Sequence, residues 1–78
     1  MSNRSKILSF CKRKQLEVVS LEWNRYRTHV YGDPYDSSHW LLVIRLNGRE
    51  ERYDTEDDSV KTGIERMFTE IENDIGEL

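Results

Sequence analysis

Apolar positions change period several times along this chain. Ile7, Leu8, Phe10 and Cys11 lie one, three and four residues apart, the stripe of an α-helix, and Ser2 or Asn3 precedes it as a candidate N-cap. The spacing predicts a first helix from about Asn3 to Lys14. Its last turn holds Lys12, Arg13 and Lys14, where cations oppose the negative end of the helix dipole. From Leu16 to Val30 the chain is rich in β-branched and aromatic residues and reads as a long strand. Val19, Leu21 and Trp23 fall on one face, Leu16, Val18 and Tyr26 on the other. The apolar parity weakens after Trp23, where Arg25, Arg27 and His29 continue the same face. Either a bulge re-aims the strand there or its second half leaves the core.

Gly32-Asp33-Pro34-Tyr35-Asp36-Ser37-Ser38 is dense in turn formers and predicts a loop. A second strand follows over Trp40 to Leu46. It ends at Asn47-Gly48, the dipeptide that suits a two-residue type I′ hairpin because both turn positions need positive φ. That turn sets Leu46 against Arg49, Arg45 against Glu50, Ile44 against Glu51 and Leu42 against Tyr53. Trp40, Leu42, Ile44, Leu46 and Tyr53 then share the core face. Leu41 and Val43 are expected as exposed aliphatics on the other face, beside Arg45, Glu50, Arg52 and Asp54. Thr55 with Asp58 three residues on approximates a capping box, and the second helix is expected to start there. Val60, Ile64, Met67, Phe68, Ile71 and Ile75 form its buried stripe, and Gly63 beside them suits a close approach to the sheet. The fold class is α+β: one domain over residues 1–78, in the order αβββα, with a three-stranded antiparallel meander and both helices on one sheet face.

Composition narrows the setting. Seventy-eight residues make room for one core, and the single Cys11 argues for a reducing, cytoplasmic compartment. No run reaches the apolar length of a membrane span, and Met1 to Ser9 lacks the apolar stretch of a signal peptide. The net charge of −3 hides a strong asymmetry: Met1 to Val30 holds seven Lys and Arg against two carboxylates, Tyr31 to Leu78 five against thirteen. Such sidedness steers charged partners.

Candidate chemistry is sparse. Asp33, Asp36 and His39 are metal-type ligands at short spacing, but as turn formers they need no metal. Asp54, Glu56, Asp57 and Asp58 lack the glycine and distal glutamate of a calcium loop and are explained by helix capping. Cys11 lies on the apolar stripe and reads as buried and inert. His29 and His39 have no nucleophile placed beside them, and four scattered glycines build no phosphate loop. No catalytic residue, metal site or cofactor is expected, and the function classes left are binding ones.

A protein-binding domain, an inhibitor or accessory subunit, would use the acidic outward face of the second helix, Glu65, Glu70, Glu72 and Asp74. It would add an aromatic and sheet patch of Tyr26, Tyr31, Tyr35, Leu41 and Val43. In size and style the chain is similar to small phage-encoded inhibitors, anti-CRISPR proteins among them, and that resemblance implies carboxylates competing for a basic groove on a target. The alternative partner is nucleic acid, gripped by Lys6, Lys12, Arg13, Lys14, Arg25 and Arg27. Here the αβββα order resembles the double-stranded RNA-binding domain. That family carries lysines at the start of its second helix, where this chain has Thr55-Glu56-Asp57-Asp58 and would repel phosphate. Pairing through the first strand would make a homodimer, whereas Arg49, Glu50, Glu51 and Arg52 guard the third strand's edge.

Overall fold

Each element of the computed structural model begins or ends where local chemistry requires it. The structure describes residues 2–30, 33–57 and 59–76, with side chains left aside for 26–30 and 33–37. Helix α1 (Asn3–Arg13) is capped by Ser2, whose hydroxyl accepts from the Ser5 N–H. At its other end Gln15 turns left-handed with φ 58°, the Gln15 N–H bonds the Lys12 carbonyl, and the Leu16 N–H bonds the Cys11 carbonyl. This is a Schellman ending with glutamine at the position glycine usually holds. The chain then reverses into β1 (Glu17–Val30), which pairs antiparallel with β2 (Asp33–Leu46), and β2 pairs with β3 (Arg49–Asp54). Strand order is β1-β2-β3, and α2 (Val60–Gly76) closes the chain, so the αβββα reading holds.

The Asn47-Gly48 turn adopts the positive φ values expected, 51° and 78°, and the β2/β3 register is the one the turn implies. Leu42, Ile44 and Tyr53 are buried on one face of the sheet, with Trp40 and Leu46 partly so. They meet Ile7, Phe10 and Cys11 of α1 and Ile64, Met67 and Ile71 of α2. Phe10 and Phe68 stack across the two helices with ring centroids 4.0 Å apart. Burial pushes the Cys11 thiol pKa up, consistent with an inert core cysteine. Gly63 is required where it stands: a Cβ there would collide with the Thr55 carbonyl oxygen.

Three expectations about the elements need correction. First, the parity change read after Trp23, as either a bulge or a strand leaving the core, is preceded by a bulge nearer the start of β1. Val18 pairs with Ile44 and Ser20 with Val43, so Val19 is the inserted residue. That insertion switches parity and puts Val18 and Leu21, three apart, on the same core side, leaving Val19 43% exposed.

Second, residues 33–38 are strand, not loop. The partner strand β1 runs fourteen residues and supplies a ladder for them, from Arg25 opposite Ser38 to Val30 opposite Asp33. Pro34, which has no N–H to donate, sits where β2 has a neighbour on one side only, since β3 pairs with Leu41 to Leu46.

Third, α2 starts at Val60 and is capped by Ser59, whose hydroxyl accepts from the Thr62 N–H. Thr55 belongs to the sheet instead: its N–H bonds the Trp40 carbonyl and its hydroxyl accepts from the Trp40 N–H.

The lengths explain the outline. Eleven and seventeen helical residues advance about 16 and 25 Å, while fourteen strand residues advance about 46 Å, so the β1/β2 ribbon overruns the helix layer. The Cα radius of gyration is 13.8 Å, against about 11.5 Å for a compact chain of this length.

Candidate functional site

The acidic face of α2 divides by the turn of the helix. Glu70 and Asp74 lie on the flank toward β3 and are engaged there. Asp74 accepts the Tyr53 hydroxyl bond, and Glu70 accepts from Arg66 at 2.8 Å. Glu72, on the flank toward α1, meets Lys14 at 3.7 Å, and Glu65 is exposed. Of the four carboxylates expected to greet a partner, three therefore also serve internal contacts.

Arg66 is the residue the sequence pattern did not single out. Its guanidinium bonds the Asp54 carboxylate and carbonyl, the Glu56 carbonyl, the Asp57 carboxylate and Glu70. Burial works to lower its pKa, but the bonds to Glu70, Asp57 and Asp54 outweigh that and hold it above its ordinary value. The acidic run after β3 is thus tied down by one arginine rather than by the helix dipole. Among the described residues no group of His, Cys, Asp and Glu is placed to hold a metal ion.

The outer face of the sheet carries cross-strand rows. Arg45 bridges Glu17 of β1 at 3.5 Å and Glu50 of β3 at 3.7 Å. In the next row Val43 lies between Ser20 and Arg52, with the bulged Val19 beside it. Val43 is only 7% exposed, which corrects the expectation that it lies open, and Leu41 is half-buried. The central strand has neighbours on both sides, with Ser20 of β1 and Arg52 of β3 flanking Val43. In the aromatic patch, Tyr31 lies outside the described residues, and Tyr26 and Tyr35 are placed by backbone alone, on β1 and β2.

Exposure concentrates on β1 instead. Val19 and Trp23 are the exposed large hydrophobics among the described residues, and both belong to this edge strand. Trp23 sits edge-on to Trp40, its cross-strand partner, with ring centroids 5.2 Å apart. The signal was present in the sequence: apolar residues on both parities within Leu16 to Trp23 mark a bulged strand with more apolar positions than one face can bury.

The basic residues are spread out. Lys6, Lys12 and Arg13 are exposed on α1, Lys14 pairs with Glu72 and lies 5.9 Å above the Phe10 ring, and Arg25 is exposed on the overrunning ribbon. The Arg27 side chain is not among those described. Lys6, Ser9 and Arg13 line, with Phe68 of α2, an open cavity of about 500 Å³. No described helix is long and apolar enough to cross a membrane. Compared with family models, curated proteins and solved structures, the chain matches none.

Proposed function

We propose that this chain is a non-catalytic protein-binding domain, an inhibitor or accessory subunit of a reducing, cytoplasmic setting, and that its contact strip is the open edge of β1. One observation carries the reading: β1 pairs on one side only, and it bears both large hydrophobics that are exposed among the described residues, Val19 and Trp23. An edge strand offers a row of unpaired N–H and C=O groups, so an extended partner segment gains main-chain hydrogen bonds by adding to it. Val19 lies on the outer face and Trp23 on the helix side, so apolar contact flanks such a segment from both faces. Trp23 is already braced by Trp40, which lowers the ordering cost of binding. Glu65 and Glu72, exposed on α2, serve as a charged second contact.

The test is capture of partners from the source cell with wild type, with Val19→Asp plus Trp23→Ala, and with Glu65→Lys plus Glu72→Lys. Loss of roughly tenfold or more in the first pair, with the fold intact by circular dichroism, is the expected result. Capture unchanged by the edge variants sinks the reading. The nucleic-acid alternative rests on the exposed basic side of α1. A mobility-shift assay with duplex and single strands at two salt concentrations decides it, since phosphate binding weakens steeply with salt.

A further inference from the structure

We infer that the cavity between the two helices is a site for a nucleotide unit, its phosphate held by Lys6, Ser9 and Arg13 and its base resting against Phe68. The inference is independent of the β1 edge. Lys6 and Arg13 lie three residues before and four after Ser9, so all three share one helix face and both long cationic side chains reach an anion seated over the Ser9 hydroxyl. Neither cation has a carboxylate within ion-pair distance among the described residues, whereas Lys14, the residue after Arg13, is taken by Glu72. Two unneutralised cations around a hydroxyl donor make a phosphate-type site, with charge-assisted bonds from each.

The fourth lining residue gives the ligand its other half. Phe68 is half-buried, stacked on Phe10 at an interplanar angle of 6°, and its remaining surface forms the apolar wall of the cavity. A planar ring placed there extends an existing aromatic stack, a contact every nucleobase can make. The volume of about 500 Å³ is within the range of small-ligand sites. Glu65, one turn before Phe68 on α2, adds negative charge near this face and favours a single phosphate over a run of them.

The experiment is amide chemical-shift mapping of the full chain titrated with adenosine monophosphate, with a thymidine hexanucleotide and with inorganic phosphate. Expected is a set of shifts centred on Lys6, Ser9, Arg13 and Phe68 with the monophosphate, and weaker ones with inorganic phosphate. A hexanucleotide that binds tighter and with steep salt dependence identifies a strand as the natural source, and equal or weaker binding identifies the free nucleotide. Lys6→Glu and Arg13→Glu, both at exposed positions that leave the core intact, are expected to weaken binding about tenfold or more. Overturning results are shifts that fall elsewhere or are absent at millimolar nucleotide, inorganic phosphate binding as well as the monophosphate, or binding indifferent to both charge reversals.

Discussion

Single residues hold this small fold through contacts that do not show in its hydrophobic pattern. Tyr53 is one: buried in the core, it donates its hydroxyl to Asp74 across to α2. Burial first, then the bond to and charge of Asp74, push its pKa well above the ordinary value near 10. The unfolded chain therefore releases the Tyr53 proton at lower pH than the folded one. The stabilisation is complete below about pH 10 and is lost as pH rises beyond it. Urea denaturation between pH 8 and 11 is expected to show a stability decline in wild type that is shallower in Tyr53→Phe; parallel curves would exclude this group as the cause. Gly63 is another such contact. With the Thr55 carbonyl in the place of its missing Cβ, Gly63→Ala forces α2 away from the end of β3 and is expected to cost about 2–4 kcal/mol. Gly76→Ala, with nothing within 4 Å of the added carbon, is the control, expected to be neutral or stabilising by up to about 1 kcal/mol.

Among the elements, those whose local and tertiary demands agree were legible. Asn47-Gly48 encodes its turn by φ alone, and the register of Leu42, Ile44 and Tyr53 follows from it without further information. The α2 stripe was legible because a 3.6-residue period over four turns has no β alternative. The residues 33–38 were not, since turn propensity is a weak prior that a fourteen-residue partner strand overrides. At residues 55–59 two cap-competent hydroxyls compete, and sequence spacing cannot tell which is spent on the sheet. Thr55 is buried and bonds Trp40 twice, leaving Ser59 to cap. Denaturation of single variants separates these roles. Ser59→Ala is expected to cost about 1 kcal/mol, an exposed cap. Thr55→Val is expected to cost about 1–3 kcal/mol, because it strips a part-buried N–H of its acceptor. The candidate sites were half legible: residue types sufficed to name Lys6 and Arg13, but only folding brings Phe68 beside them.

At the scale of the whole molecule, a body and an overrun divide the work. Every hydrophobic core residue, and every partly buried one packed on the core, lies outside residues 24–39 among those described. The described core cluster thus draws on the body, while Val19 and Trp23 stand on the part of β1 that the body holds. These facts separate two accounts of partner binding, one through the open β1 edge near the body, the other through Tyr26, Tyr31 and Tyr35 farther out. Replacing residues 26–37 by Asn-Gly joins Arg25 to Ser38, a cross-strand pair already in register, with the same turn that joins Leu46 to Arg49. Shortening the connection also reduces its closure entropy, so the variant is expected to fold with stability within about 1 kcal/mol of wild type by thermal denaturation. Because Val19, Trp23 and Trp40 remain, it is expected to capture the same partners as the full chain. Retained folding with lost capture would move the contact surface out to the tyrosines, and loss of folding would show that the ribbon stabilises the body through residues beyond the core cluster.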